Sequence, residues 1–445
     1  MKGLQRRDAL KLMGAAGLAA SMSGCLATGG ENDDINSKIV IMGAGLSGIA
    51  LAAKLRRDMP NAKVILVDKD EKFYYQPGFT LIAVGIYEAS DVVYEKADYI
   101  PQGTEWIRKN VSEIKPEANL LVLDDGSELG YDYLIVASGV EYDFEAVKGL
   151  SLEDINDMSG NISSVYTLQG AVKSNELMKK FSQNGGSAVF CDQKTPMKCS
   201  GANKKVTCMS EDRLRLAGNR DKGSVNLYVG GGKLFGDPTY AAAMTQIMIK
   251  RKINFNLRHQ IVAVDKSSNT ATFEFWTAYR QNGENKIASE LIDVKYDWLH
   301  LPPKQKGSEI LARAGLTKEG DKLNFLAVDK YSLQSTKFKN IFGIGDICGF
   351  AAGKTGASVR KMYPILAKNL ADTIKGREPS EKFTGYTACP FITKYGKAIM
   401  VEFDWEGTAP TLECFGATRE SYMSWLVKIY GFKPMVMNGM LKALA

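Results

Sequence analysis

The segment Lys38 to Met42 is apolar after its first residue, and a second such segment runs from Lys63 to Val67. Between them a helical apolar spacing extends to Arg57, so the chain enters its folded part as strand, helix, strand. Further buried strands are expected at Tyr131 to Ala137, Ser187 to Phe190 and Asn340 to Ile344, and a helical run starts at Lys354-Thr355-Gly356-Ala357 and heads for Asn369. After a strand-rich stretch, Lys397 to Trp405, apolar and aromatic residues dominate Tyr422 to Leu444, with lysines spaced among them. The alternation predicts an α/β protein with parallel, helix-connected sheets, followed by a C-terminal amphipathic, membrane-associating region.

Composition narrows the chemistry. In 445 residues, 45% are hydrophobic and 24% charged, which excludes disorder, collagen and a multi-span membrane protein. Lys and Arg number 57 against 50 Asp and Glu, and the cations are scattered among the acids, so nucleic acid is excluded as a partner. Seven cysteines in so long a chain form no disulfide scaffold. With two histidines and no CxxC, no metal site is expected. The chemistry is expected to use sulfur, a cofactor, or both.

Before the first strand, Arg6-Arg7 precedes a short apolar run, Leu12 to Ala20, and small residues lead into Ser23-Gly24-Cys25. Residues 1–30 are therefore expected to be an export signal of twin-arginine type, with a lipobox-like element at Cys25.

Gly43-Ala44-Gly45-Leu46-Ser47-Gly48 follows the first strand directly, and the second strand ends in Asp68. In that context Gly43, Gly45 and Gly48 fit a pyrophosphate-binding turn and Asp68 a ribose-binding acid. The strand ending in Ser138-Gly139 and the strand ending in Gly345-Asp346 resemble the two additional FAD signatures of two-dinucleotide-domain flavoproteins. The middle domain departs from that pattern. Its strand Ser187 to Phe190 feeds Cys191 to Gly201, with no glycine triplet for a nicotinamide dinucleotide.

Thr195-Pro196-Met197-Lys198-Cys199-Ser200-Gly201-Ala202, with Tyr75-Gln76-Pro77, Phe342 to Asp346 and Tyr386-Thr387-Ala388-Cys389-Pro390, resembles the sulfide:quinone oxidoreductases from Lys38 onward. The resemblance implies FAD held by the residues above together with Gln76, Pro77, Lys354 and Thr355. It also implies two redox cysteines, assigned to Cys199 (flavin-facing) and Cys348 (sulfide acceptor), that oxidise sulfide to polysulfide or zero-valent sulfur and pass electrons to quinone. Cys191, Cys208, Cys389 and Cys414 are read as packed thiols. Because Ile347 separates Asp346 from Cys348, the sequence is also similar to the flavin subunit of flavocytochrome c sulfide dehydrogenases, which makes a c-type cytochrome the alternative acceptor. An NADH:quinone oxidoreductase is the more distant alternative. Some relatives bind flavin covalently through a cysteine near the position of Gln76. No cysteine lies between Cys25 and Cys191, so non-covalent FAD is expected.

The expected domains are residues 38–150 with 300–380 for FAD, 151–299 for the second Rossmann-like unit with the cysteine loop, and 381–445 for quinone and membrane. Two short helices broken at Gly431 to Pro434 are expected to lie in the lipid interface, with Trp425, Phe432 and the methionines inserted and the lysines toward headgroups. Phe391 and Tyr395 are assigned to the quinone. The expected partners are thus sulfide, quinone and a membrane surface, with a homo-oligomer as an admissible assembly. The expected location is the periplasmic side of the cytoplasmic membrane, peripheral or lipid-anchored.

Overall fold

The computed structural model describes residues 32–411 and 416–445. The expectations placed on Arg6, Arg7, Cys25 and Cys414 lie outside the described residues.

Strand β1 (Lys38–Met42) leads through the glycine turn into helix α1 (Leu46–Asp58), and β2 (Lys63–Val67) returns parallel to β1. Gly43 has φ +108 and donates its N–H to Val67 O at 2.8 Å. At Gly48 an added Cβ would stand 1.9 Å from Gly43 O, so only glycine lets the helix start this close to the strand. Strands β3 (Glu105–Ile107) and β4 (Tyr133–Val136) extend the sheet.

The chain then builds a second parallel sheet. It runs through β5 (Ile162–Ser163), helix α2 (Leu168–Asn184), β6 (Gly186–Asp192), helix α3 (Ala202–Leu216), β7 (Gly223–Val229), helix α4 (Pro238–Lys250) and β8 (Asn254–Leu257). An antiparallel ribbon follows: β9 (His259–Asp265), β10 (Thr270–Gln281) and β11 (Glu284–Lys295). Strand β12 (Trp298–His300) returns to the second sheet, giving the order β5-β12-β6-β7-β8. Strand β13 (Ile341–Gly343) completes the first sheet, in the order β13-β4-β1-β2-β3. Both sheets are open and parallel with helices between strands, so two Rossmann-like units are present.

Helix α5 (Gly356–Ile374), capped by Thr355 Oγ1 on the Ser358 N–H at 3.2 Å, packs on α1. The antiparallel strands β14 (Phe391–Lys394) and β15 (Lys397–Ile399) then lay their apolar residues into the core of the second unit.

The C-terminal region departs from expectation. Backbone angles at Gly431 (−88°, −45°) and Pro434 (−59°, −38°) are helical, and one helical run with two widened turns extends from Tyr422 to Lys442. Trp425, Met437 and Met440 are core residues, not lipid-inserted ones: Trp425 packs in the second unit, and Met437 and Met440 against α1 and α5. The physical reason is that α1 and the β14-β15 hairpin each leave an apolar face that this run covers. Among the described residues no helix is long and apolar enough to cross a membrane.

Candidate active site

The first sheet delivers the dinucleotide segments to one end. The Ala137 N–H reaches Met42 O at 2.8 Å, and the Ile344 N–H reaches Val136 O at 3.0 Å. Gly345 (φ +82) sits so close to Ser47 at the start of α1 that an added Cβ would lie 2.9 Å from Ser47 Oγ. Glycines 43, 45, 48, 139 and 345 therefore meet Ser138, Asp346 and the α1 N-terminus at the carboxyl ends of β1, β4 and β13. A Cβ at Gly45 or Gly139 would meet nothing within 4 Å, so an open, glycine-lined groove runs past the free N–H groups of the α1 N-terminus. That groove fits the pyrophosphate of FAD. Asp68 accepts from the Ala44 N–H at 2.7 Å and pairs with the buried Lys96 ammonium at 2.7 Å. One carboxylate oxygen thus holds the turn and the other is charge-compensated beside the expected ribose position.

In the second unit the corresponding turn is rebuilt. Asp192 at the end of β6 forms an ion pair with Lys204, both side chains 3% exposed, and accepts from Asn203 Nδ2 at 3.1 Å. Burial pushes the Asp192 pKa up against the pull of Lys204. Where a second phosphate turn would need bare glycine backbone, a buried ion pair clamps the strand end to α3.

That clamp holds the loop of Cys199, which adopts a left-handed φ of +48, a strained conformation for a residue with a side chain. The Cys199 N–H donates to Lys354 O at 3.1 Å, so the loop abuts the segment before α5. The sulfur that meets Cys199 is not that of Cys348. Cys199 Sγ lies 3.7 Å from Cys389 Sγ, 190 residues away in sequence. Cys348 is buried among Leu326, Val328 and Ile347 on the other face of the first sheet, and its thiol is pushed up to about 12 by burial, which Lys354 only partly offsets. The expected pairing of Cys199 with Cys348 is therefore corrected. The physical reason is that β14 and the residues before it fold back over the start of α3 and deliver Cys389 to Cys199.

Two lysines complete the site. Lys205, on the first turn of α3 and 2% exposed, donates to Cys389 Sγ at 3.2 Å and to Cys199 Sγ at 3.6 Å. Its burial acts to lower its pKa, but the two sulfurs outweigh that and raise it. Lys428, also buried, donates to Pro77 O at 3.2 Å. Burial and then repulsion from Lys205 lower its pKa to about 8 against the pull of the sulfurs. The hydrogen bond from Cys199, then the Lys205 and Lys428 charges, hold the Cys389 thiol well below its ordinary range despite burial. Cys199 moves the other way, raised by its bond to Cys389 and by burial. Of the two sulfurs, that of Cys389 is thus the one the surrounding ammonium groups favour as a thiolate.

Gln76 and Pro77 belong here as well: Lys198 Nζ donates to Gln76 Oε1, and the Lys198 N–H to Gln305 Oε1 at 2.8 Å. Lys354 Nζ is held by Asp346 O (2.6 Å) and Cys348 O (2.8 Å), and Thr355 Oγ1 lies 2.9 Å from Thr387 Oγ1, two residues before Cys389. The groove for FAD and the cysteine pair are therefore neighbours. Phe391 packs beside Gly201 and the sulfur pair, whereas Tyr395 lies at the surface against Trp425, ring centroids 5.1 Å apart; the fold does not bring the two together. Cys191 and Cys208 are buried thiols raised by burial, and His300 packs against Phe190 and Trp298. Among the described residues no cluster of His, Cys, Asp and Glu could hold a metal.

Two dinucleotide-type units with a cysteine pair between them define a flavin-type disulfide oxidoreductase, and the model of the pyridine nucleotide-disulphide oxidoreductase family matches residues 37–369. Within that class the likeness is narrower. The chain is 33% identical to a mitochondrial sulfide:quinone oxidoreductase of Dictyostelium discoideum over 91% of this chain and 86% of that one. It is 32% identical to the mouse mitochondrial sulfide:quinone oxidoreductase, over 88% and 83% of the two chains. The fold matches the solved sulfide:quinone oxidoreductase of Aquifex aeolicus with a TM-score of 0.71 at 21% identity, covering 90% of this chain and 92% of that one. The chain belongs to the sulfide:quinone oxidoreductase family.

Proposed function

We propose that the protein oxidises sulfide through a Cys199–Cys389 disulfide and delivers the electrons, by way of FAD, to a quinone. The single observation that carries this is the 3.7 Å approach of the two sulfurs under Lys205. The named activity of the relatives supports the substrates. Closing the pair to the bond length of a disulfide, about 2.05 Å, is a small side-chain movement. Hydrosulfide has no handle for a binding pocket, so it is captured by making a bond: HS⁻ attacks Cys389 Sγ, the S–S bond breaks, Cys389 keeps a persulfide and Cys199 leaves as a thiolate. Lys205, within 3.6 Å of both sulfurs, supports the leaving charge, and Lys428 adds a second positive charge to the site. Cys199 is assigned to the flavin side because its amide is fixed on Lys354 O, next to the Gly345-Asp346 segment. Bound FAD supplies a two-electron acceptor for that thiolate and a donor to the quinone. A second HS⁻ attacks the outer sulfur of the Cys389 persulfide, the S–S bond breaks, hydrodisulfide leaves as the first polysulfide and Cys389 is left as a thiol; Cys199 and Cys389 would then close their disulfide again by giving up two electrons, for which bound FAD is the acceptor.

The proposal extends to place. Export by Arg6-Arg7 and lipidation at Cys25 put the protein on the periplasmic side. Tyr395, Tyr422, Met423 and Tyr430, all exposed, form the apolar contact with the membrane surface. This narrower patch takes the role first given to the whole tail.

The test is peptide mapping of the oxidised protein, which yields a Cys199–Cys389 cross-link, combined with serine substitution of each cysteine. Cross-linking of Cys199 to Cys348 would overturn the proposal.

A further inference from the structure

Strand β11 is the free edge of the β9-β10-β11 ribbon and pairs with β10 over all twelve residues without a break in register. The strands are joined by Asn282 (φ +52) and Gly283 (φ +84), the backbone of a two-residue type I′ turn. In such a hairpin Gln281 and Glu284 exchange the closing hydrogen bonds. By alternation, the even-numbered residues of β11 turn their backbone groups to β10 and the odd-numbered ones turn theirs outward. From Asn285 to Asp293 no other strand or bridge among the described residues takes up those outward groups. The edge carries no proline and no bulge, two of the devices by which solvent-facing edges are protected, and its charges, Lys286, Glu290 and Asp293, are of both signs. Instead it exposes two large apolar side chains, Ile287 at 65% and Leu291 at 70%.

These features share a centre. Ile287 and Leu291 lie two residues to either side of Ser289, and all three have outward backbone groups. We propose that β11 is a dimer interface, at which a second copy of this chain adds its own β11 antiparallel about a two-fold axis through Ser289, making one continuous six-stranded sheet. Ile287 then stands opposite the second copy's Leu291, and Leu291 opposite its Ile287. Asn285 faces Asp293, an amide donor against a carboxylate. On the other face Lys286 reaches the second copy's Glu290 along the diagonal, so the charges complement twice about the axis. Neighbouring registers lack this match. An axis at Glu290 sets two carboxylates face to face and Ile287 against Asp293, and an axis at Ala288 sets Leu291 against Asn285. The inference is independent of the cysteine chemistry.

The test is sedimentation velocity on the full, FAD-loaded chain in mild detergent. The wild type and the conservative pair Ile287→Leu with Leu291→Ile sediment as dimers. The pair Ile287→Lys with Leu291→Lys places like charges opposite one another and sediments as a monomer, with flavin content and sulfide-dependent flavin reduction unchanged. A monomeric wild type, or a lysine variant that stays dimeric, overturns the proposal. Ser289→Cys checks the same point without depending on the lysine variant: a short bis-maleimide converts it to a covalent dimer beyond any yield from the parent protein, and absence of that dimer likewise overturns the interface.

Discussion

At the residue scale the site turns on two buried ammonium groups that hold charge on a pair of sulfurs. Lys205→Met removes the donor that reaches both, so the Cys389 thiol of the reduced protein should titrate at higher pH. The pH midpoint of its alkylation rate, followed by mass spectrometry, should rise relative to wild type. Lys428 gives a stability prediction with a defined sign. Its folded pKa, about 8, lies below the ordinary 10.5, so between those values the unfolded chain binds more protons and stability rises with pH. Below about pH 8 the cost is complete, roughly 3 kcal/mol from the 1.36 kcal/mol of each pKa unit. Lys428→Met should therefore melt higher than wild type at pH 7.5, and the gap should close toward pH 10.5, as a series of thermal midpoints will show. Cys199 stood out through its motif and its place in the loop between β6 and α3. Cys389 was read as a packed thiol although it lies in a motif that carried the family resemblance, because nothing local reveals which sulfur a strand 190 residues away will meet. Lys428 was misread for a related reason. A lysine in an apolar tail reads as headgroup-facing unless the thiolates that compensate it are known.

At the element scale the glycine turn between β1 and α1 was legible because its spacing reports backbone contacts that side chains would block. With Gly48 Cβ space closed at 1.9 Å by Gly43 O, Gly48→Ala should push α1 off β1. The expected outcome is lost FAD on purification and a lower melting temperature, with any flavin still bound released at lower denaturant. The second unit's missing glycine fingerprint was also legible, but its replacement was not. The Asp192–Lys204 ion pair depends on the geometry of a strand end and a helix start, which spacing alone leaves open. The tail was the weakest reading. Its amphipathic pattern serves packing on α1 and the β14-β15 hairpin, and an apolar stripe looks the same whether it meets lipid or protein.

At the scale of the whole molecule, two nucleotide-type units divide the labour: the first offers the groove that fits FAD, and the second, without a nicotinamide turn, holds the Cys199–Cys389 pair proposed as the sulfur site. NADH should accordingly fail to bleach the bound flavin, as a stopped-flow trace at the flavin absorbance will show. Replacing Tyr422, Met423 and Tyr430 by serine should leave sulfide-dependent flavin reduction intact while lowering liposome binding several-fold, measured by flotation with protein lacking residues 1–30. The central claim, that electrons enter through Cys199 and Cys389, is tested most directly by anaerobic mixing with sulfide of the FAD-loaded Cys199→Ser, Cys389→Ser and Cys348→Ser proteins. The account predicts that the first two retain FAD but lose sulfide-dependent reduction by at least a hundredfold, while Cys348→Ser reduces at close to the wild-type rate. Loss of reduction in Cys348→Ser with reduction preserved in Cys389→Ser would contradict it.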